Sequence, residues 1–385
     1  MRSRVLGPHP SPRGRRETSV NAPTDVSPAG LTVPATGEER ARPSSARRLL
    51  GAVFAEAYVL PTVWVLLIVF FMLLPQTQQQ FTNPLTYSVI FGIQSVPLVL
   101  AIAVLIPMLA GDFDVSTPQT LLLASMIMGV LTVKQGLPVW LAIVTAVVVG
   151  AVIGVVNGVL CALVGLDSFI VTLGTGSLIW GVAIWISDRE VISGIDDDLS
   201  TFFLQRVAFL PVEFYIAIAL TAVVWWWTRY IPSGRRLTYI GDHRDVARLS
   251  GVRVNWLRIG AFGAAGMVAA LAGIAKVAQS GSADPSGNTN LLLAAFASVF
   301  LGGTTITPGR FNAWGTAIAT LFLGTGVTAL QILGLSSWIQ QIFFGVALVG
   351  GVLFSWVAAR RRAAREEREA LLRTVRAEPG RSPVG

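Results

Sequence analysis

Long apolar stretches, many close to twenty residues in length and separated by short polar segments, constrain the fold of this chain more than any other feature. A helix needs about 20 mostly apolar residues to cross the roughly 30 Å hydrocarbon layer of a membrane. Of the 385 residues, 53% are hydrophobic and only 13% are charged, whereas soluble proteins carry about a quarter charged residues. The sequence therefore predicts an all-α polytopic membrane protein.

The apolar pattern predicts about ten transmembrane helices. Their approximate ranges are 52–74, 88–109, 117–133, 138–163, 169–187, 211–228, 257–279, 291–303, 312–332 and 336–357. The third and the eighth are short, so each is either a full crossing or a broken or re-entrant half-helix. Irregular backbone at membrane depth is tolerated where it lines a cavity.

Arginine is concentrated in three polar blocks, which predicts the orientation of the helices. Nine of the 27 Arg lie in residues 1–48, seven in the loop 229–258 and eight from Arg360 onward. The loop 229–258 has a net charge of +5, whereas the loop 188–206 has −3. Because cytoplasmic loops are enriched in Lys and Arg, we expect both termini and the loop 229–258 in the cytoplasm. Lys134 is the exception, as a single positive charge in an external loop.

The same pattern divides the chain into three regions. Residues 1–48 are rich in Arg and Pro and poor in large apolar side chains, which predicts a disordered cytoplasmic tail. Residues 49–358 form the transmembrane domain. Residues 359–385 are a basic cytoplasmic tail, whose alternating pattern predicts that the last helix continues out of the membrane.

The scarcity of reactive side chains excludes several kinds of site. A single cysteine, Cys161, forms no internal disulfide or thiolate metal site. The two histidines, His9 and His243, form no metal cluster. Neither Lys134 nor Lys276 is followed by the Ser or Thr of a phosphate-binding loop. We therefore expect no catalytic residue, no metal and no cofactor held by this chain itself, which is not predicted to be an enzyme.

Ionisable residues are nearly absent from the predicted spans, which bears on the source of energy. Such residues mark proton and ion pathways in coupled transporters. Their absence favours a permeation pathway that is driven by another chain. A stand-alone ion-coupled secondary carrier remains the alternative from a different class.

A short amphipathic helix is predicted within the loop 229–258. The segment consists of Asp242, His243, Arg244, Asp245, Val246, Ala247, Arg248, Leu249, Ser250 and Gly251. Asp242 is placed to cap its start and Gly251 to end it.

This predicted helix has a small apolar face. Val246 and Leu249 lie three residues apart on it, with Ala247 beside them. A face of this kind suits docking into a groove on a soluble partner. The alternative is a surface loop held by lipid phosphates.

Four stretches, in order along the chain, resemble the permeases of ABC importers for simple sugars such as ribose and xylose. They are Gly111–Ser116, Asn157–Gly158 followed by Phe169–Thr175, Gly234–Val252, and the glycines from Gly302 to Gly315 with Thr316. The resemblance spans about residues 80–357. Two departures from the family pattern stand out: Asp112 replaces the second Gly of the first motif, and Thr117, Pro118 and Gln119 follow it.

The resemblance implies a function and a set of partners. The chain would be the permease subunit of an ATP-driven importer of a monosaccharide in the bacterial cytoplasmic membrane. Its partners would be a second permease chain, as a homodimer, a cytoplasmic subunit that binds ATP and Mg²⁺, and an extracytoplasmic solute-binding protein, with no nucleic acid involved. A nucleoside or a branched-chain amino acid remains an alternative solute.

Five residues in the matching motifs are candidates for the translocation path. Asp114 and Ser116 either line the path or cap the third helix. Asn157 either packs helices together or contacts the solute. Phe169 and Thr172 lie three apart on one helical face, and an aromatic ring beside a hydroxyl suits a sugar.

Four glycines in the last motif have a predicted structural role. They are Gly302, Gly303, Gly309 and Gly315. Because glycine adopts conformations closed to other residues, we expect them to form a tight re-entrant turn.

Overall fold

A computed structural model describes residues 58–242, 244–286 and 289–377. Three predicted features lie outside these ranges: the tail 1–48, the proposed coupling residue His243, and the last eight residues of the basic tail. Of the proposed coupling residues, Asp242 is described by its backbone alone.

Fourteen helices make up most of the described chain. In order they are α1 (Val59–Leu73), α2 (Gln78–Phe81), α3 (Pro84–Met108), α4 (Thr117–Gly129), α5 (Val139–Val159), α6 (Ser168–Ser187), α7 (Asp197–Leu204), α8 (Val212–Tyr230), α9 (Pro232–Asp242), α10 (Arg244–Leu249), α11 (Val254–Ser280), α12 (Thr289–Gly302), α13 (Ala313–Ile332) and α14 (Trp338–Ala377). One π-helical turn, Val130–Lys134, extends α4, and another, Leu160–Val164, extends α5.

The helices confirm a polytopic membrane protein but not ten crossings. Every predicted span coincides with a helix. Among the described residues, five helices are long and apolar enough to cross a membrane: α3, α5 with its π turn, α6, α11 and α13. A sixth crossing results if the bent pair α8–α9 counts as one span. The count of ten crossings and the cytoplasmic placement of the termini stay predictions.

Helix α3 forms the centre of the bundle. From Leu98 to Ile106 no side chain is more than 4% exposed. Helices α8, α11, α12 and α13 all pack against it. A helix that is apolar on every side can lie in a protein core or face lipid, and the four surrounding helices place this part of α3 inside.

Helix α5 lies unusually close to α11. A Cβ atom at Gly154 would overlap the carbonyl oxygen of Phe262, and one at Gly266 would overlap the carbonyl of Gly150. Small residues let two membrane helices approach to backbone contact. The opposite side of α5, including Val148 and Val152, is exposed.

Two short antiparallel ribbons join the segments between helices. Strand β1 (Ile192–Ser193) pairs with β4 (Ser282–Ala283), and β2 (Arg206–Val207) pairs with β3 (Leu210–Pro211). The first ribbon ties the segment after α6 to the end of α11. These two segments therefore lie on the same side of the bundle.

Lys134, the exception in the charge pattern, is paired on that same side. Its Nζ lies 3.5 Å from a carboxylate oxygen of Asp188 and 3.7 Å from one of Glu190, and donates to the carbonyl of Ser187. Its positive charge is thus balanced by the acidic loop 188–206.

The predicted coupling loop 229–258 is largely helical rather than a loop with one short helix. Helix α8 ends at Tyr230 and the chain turns by 82° into α9. Pro232 is the first residue of α9. Proline is favoured at this position because the N–H that it lacks would have no hydrogen-bond partner within the helix. Leu237 and Ile240 of α9 are buried at 1% and 0% exposure. The sequence pattern had not indicated this helix.

Asp242 is the last residue of α9, and α10 begins at Arg244. The predicted capping role of Asp242 stays a prediction, because its side chain and all of His243 lie outside the described part of the chain. After α10, Gly251 has a φ of +76° and its N–H donates to the carbonyl of Arg248.

Candidate functional site

An irregular, buried segment joins α3 to α4 and forms the centre of the candidate site. Residues 112–114 have no regular secondary structure. Asp112, Asp114 and Ser116 are 3%, 1% and 1% exposed. Backbone groups in such a segment lack helical partners and must find others.

Two hydroxyls of α6 satisfy part of this backbone. Ser168 Oγ accepts from the N–H of Phe113 at 3.0 Å, and Thr172 Oγ1 accepts from the N–H of Val115 at 3.0 Å. Ser168 and Thr172 lie four residues apart, on one face of the helix. The segment is therefore held to α6 by side chains. Ser168 was missed in the sequence, although its spacing from Thr172 was a usable signal.

Asp114, Ser116 and Asn157 form a hydrogen-bonded chain. Asp114 Oδ1 accepts from the N–H of Ser116 at 2.9 Å and from its hydroxyl at 2.6 Å. Ser116 Oγ accepts from Nδ2 of Asn157 at 2.9 Å. Ser116 stands at the N-cap of α4, with Pro118 in the first turn. Asn157 Oδ1 is buried and has no hydrogen-bond partner among the described residues.

Asp112 lies at the centre of an ion-pair cluster. Arg258 of α11 donates from Nε to Asp112 Oδ2 at 2.6 Å and from Nη2 to Oδ1 at 2.7 Å. Arg244 of α10 donates from Nη2 to the same Oδ1 at 3.1 Å and to the carbonyl of Ala110 at 3.0 Å. A carboxylate that is buried among apolar helices requires such partners. The Asp that departs from the family pattern thus connects α10 and α11 to the irregular segment.

Helix α10 exposes only part of its predicted docking face. Leu249 is 89% exposed and Val246 48% exposed. Ala247, in contrast, is fully buried and packs in a cluster with Ile240 and Val254. The expectation that Ala247 lies on the docking face is wrong, because α9 covers that side of α10.

Phe169 and Thr172 do not share an environment. Thr172 is fully buried and bonds to the irregular segment, whereas Phe169 is 51% exposed. Side chains three residues apart on a helix point in directions that differ by about 60°. On α6 this difference is enough to place Thr172 on the buried face and Phe169 outside it. The predicted pairing of ring and hydroxyl on one face is therefore wrong.

A small cavity of about 60 Å³ lies beside Thr172, between α4 and α6. Gln119, Ser177 and Trp180 also line it. The amide oxygen of Gln119 is buried and has no hydrogen-bond partner among the described residues. Gln119 belongs to the stretch that departs from the family pattern, and only the fold shows that it faces this cavity.

A second irregular turn joins α12 to α13. A Cβ at Gly302 would lie 2.5 Å from the N of Thr316, and one at Gly315 would overlap the carbonyl of Gly302. Gly309 has a φ of +80° and its N–H donates to the carbonyl of Gly303 at 2.8 Å. These contacts explain glycine at 302, 309 and 315. A Cβ at Gly303 would lie 3.3 Å from the carbonyl oxygen of Phe300, which is a tighter contact than a Cβ usually makes.

Asn312, missed in the sequence, organises this turn. Its Oδ1 accepts from the N–H of Gly315 at 2.6 Å, and its Nδ2 donates to three carbonyls of the turn, at 3.0 to 3.3 Å. Phe113 stacks on Phe296 and Phe300 of α12, with centroids 6.3 and 6.4 Å apart. The first irregular segment therefore packs against the helix that leads into the second.

The comparison with known proteins identifies the family. Residues 80–352 match the family described as "Branched-chain amino acid transport system / permease component". The ribose import permease protein of Haemophilus influenzae is 28% identical over 67% of this chain and 81% of its own length. The D-allose transport system permease protein of Escherichia coli is 28% identical, over 70% and 82%. The ribose import permease protein of Bacillus subtilis is 34% identical, over 64% and 76%.

No solved structure was found to match the chain. The family match nevertheless spans helices α3 to α13, including both irregular segments and the bent pair α8–α9. The chain therefore belongs to this family of transport-system permease components, as a multi-pass membrane permease of the ABC importer type.

Proposed function

We propose that this chain is the translocating subunit of an ATP-driven importer whose solute is a monosaccharide, of the ribose or xylose kind. The relatives named for ribose and allose import support the class of solute. A second copy of the chain, a cytoplasmic subunit that binds ATP and Mg²⁺, and an extracytoplasmic solute-binding protein complete the importer. ATP is hydrolysed on the partner subunit.

One observation carries the coupling role. Arg244 lies on the short helix α10, whose Leu249 is exposed, and it reaches the buried Asp112 and the carbonyl of Ala110. A partner that moves α10 therefore acts on the start of segment 112–116 through direct hydrogen bonds. This link supports a route from an ATPase docked on α10 to the irregular segment.

The segment itself supports the position of the path. Asp114, Ser116, Asn157 and Thr172 form a buried polar cluster beside the small cavity that Gln119 lines. We propose that the solute passes along this cluster. Phe169, exposed on α6, is proposed to face the second chain across the path.

The test is uptake with and without ATP. Cells that express the full set of subunits are given labelled ribose, xylose or allose, and uptake is measured before and after ATP depletion with the ion gradients maintained. We expect uptake of at least one sugar to stop without ATP. Uptake that survives ATP depletion and follows an ion gradient would assign the chain to secondary carriers instead.

Co-purification tests the partners. The tagged chain, extracted in mild detergent, is expected to bring along an ATPase with a phosphate-binding loop. A chain that brings along the ATPase but is inactive toward all three sugars, while a nucleoside or branched-chain amino acid is taken up, would keep the ATP-driven class and change the solute.

A further inference from the structure

A larger cavity lies elsewhere in the bundle, between α3, α11, α12, α13 and α14. Its volume is about 220 Å³, which at about 30 Å³ for each water corresponds to roughly seven water molecules and thus to a solute of monosaccharide size. Lys276, which lines it, lies about 27 Å further along α11 than Arg258, at a rise of about 1.5 Å per residue. The cavity is therefore near the opposite end of the bundle from the Asp112 cluster.

Four glutamines, one from each of four helices, line this cavity. They are Gln94 of α3, Gln279 of α11, Gln331 of α13 and Gln340 of α14. Ser298 and Thr320 also line it, and their hydroxyls donate to carbonyls of their own helices. Polar groups that face lipid without partners are costly, so this lining indicates a space filled by water or by a polar solute.

Two of these amides are held in place by contacts outside the cavity. Gln279 Nε2 donates to the carbonyl of Gly92 at 3.0 Å and to the carboxylate of Glu213 at 3.2 and 3.3 Å. Its described hydrogen bonds use only Nε2, which leaves Oε1 as an acceptor. The side chain of Gln94 lies against Gly324, where a Cβ atom would overlap it. Fixed amides lose little conformational freedom when they bind a solute.

The chemistry of the lining selects an uncharged solute. An amide both donates and accepts hydrogen bonds, as does each hydroxyl of a polyol. Among the residues that line the cavity, Lys276 has a charge and none is a carboxylate. A zwitterionic amino acid would need a carboxylate partner for its ammonium group, and the lining supplies none.

The charge of Lys276 is partly balanced at the end of α11. Asp284 follows strand β4, and hydrogen bonds from the side chain and backbone of Ser286 hold the pKa of its carboxyl below its ordinary value. The nearby Lys276 charge acts in the same direction. Asp284 is therefore ionised at neutral pH, which weakens the attraction of this end of the cavity for anions.

We propose that this cavity is a solute-binding site within a single chain, which takes a neutral polyhydroxylated molecule near the end of the bundle remote from Asp112. The inference rests on the proposed sugar import. It adds the location at which a single chain binds the solute. It requires no residue of a second copy.

The first experiment removes the amides one at a time. Gln331→Leu and Gln94→Leu, in the full importer in cells, are expected to raise the KM for the transported sugar (labelled ribose, xylose or allose) about tenfold, with equal amounts of chain in the membrane. Gln79→Leu is the matched control, because Gln79 is exposed on the short helix α2, away from the cavity, and its KM should stay unchanged. Unchanged KM values in both cavity variants would overturn the inference.

The second experiment detects the solute without relying on transport. Thr328→Cys places a thiol in the cavity lining, while the native Cys161 is 1% exposed. In the complete importer, saturating ribose, xylose or allose is expected to slow maleimide labelling of this thiol at least about fivefold, and not that of Gln79→Cys. Labelling that no sugar slows would overturn the inference.

The two experiments separate this inference from the proposed function. Suppose that the wild type shows ATP-dependent uptake, that no sugar slows the labelling of Thr328→Cys, and that the cavity variants keep the wild-type KM. This result keeps the proposed importer function and rejects the cavity as the solute site. Protection of Thr328→Cys by a sugar that the wild type does not transport keeps the cavity and rejects that sugar as the cargo.

Discussion

Arg258 and Asp112 form a two-pronged ion pair in which both side chains are nearly buried, at 6% and 4% exposure. The pair connects the first part of α11 with the start of the irregular segment. Arg244 approaches the same carboxylate from the surface, with 36% of its side chain exposed. One carboxylate thus joins the irregular segment to two helices whose arginines lie 132 and 146 positions further along the chain.

Loss of the Asp112 carboxylate alone is expected to be strongly destabilising. Asp112→Ala leaves Arg258 as an unpaired buried charge, which typically costs about 3–5 kcal/mol. The measurement is the free energy of unfolding of the purified chain in detergent. Asp245→Ala, on the exposed side of α10, is the control and should change it by less than about 0.5 kcal/mol.

A double variant distinguishes an unpaired charge from a general packing defect. Asp112→Ala with Arg258→Met removes both charges. Replacement of a whole buried pair is often close to neutral, so we expect the double variant to be more stable than Asp112→Ala. Additive losses in the double variant would argue against the pairing.

Arg244 is expected to affect transport more than stability. Its partly exposed bond to Asp112 is worth no more than about 1 kcal/mol, yet it links α10 to segment 112–116. Arg244→Ala should therefore lower ATP-driven uptake about tenfold while the chain remains inserted and the partner ATPase remains bound. Arg235 is exposed on α9, and the control variant Arg235→Ala should transport normally. Equal losses of uptake in both variants would mean that the loss of a positive charge, and not the bond to Asp112, lowers transport.

Leu249 is expected to anchor the ATPase. At 89% exposure its replacement costs the fold little, but Leu249→Asp places a charge in the proposed apolar contact. We expect the ATPase to be lost on co-purification and uptake to fall to background. Leu249→Met keeps an apolar side chain of similar size and should retain both; full activity of Leu249→Asp would remove the docking proposal.

Thr172→Val removes the acceptor of a buried N–H. The substitution keeps the shape of the side chain but leaves the N–H of Val115 unpaired, which costs about 1–3 kcal/mol. Thr175→Val lies on the same helix, and its described hydrogen bond goes only to a carbonyl of that helix. The thermal midpoint should drop clearly for Thr172→Val and little for Thr175→Val, and similar midpoints would mean that Thr172 does not hold the segment.

Gly154→Ala tests the contact between α5 and α11. The added methyl group would overlap the carbonyl of Phe262, so we expect a loss of about 1–3 kcal/mol. Gly181→Ala, where a Cβ would meet nothing within 4 Å, should be neutral or slightly stabilising, because Ala favours helix by about 1 kcal/mol. Unfolding in detergent measures both variants, and equal effects would contradict the close approach.

Local composition determined the helical class and the positions of the spans. Each apolar stretch needs a helix in the membrane because no water is present to pair with its backbone, and each of the ten predicted stretches overlaps a helix in the part of it that is described. The turns at Gly251 and Gly309 could likewise be predicted from the sequence, because a backbone with positive φ favours glycine.

Tertiary structure decided which of these residues meet. The sequence contains Asp112, Arg244 and Arg258 but not their contact, because pairs separated by 132 and 146 positions are joined only when α3, α10 and α11 pack together. The burial of Ala247 depends on α9, and the exposure of Phe169 depends on where the edge of α6 falls. The four glutamines of the larger cavity are scattered along the chain for the same reason: periodicity predicts a helix, whereas the packing of neighbouring helices decides which of its faces is enclosed.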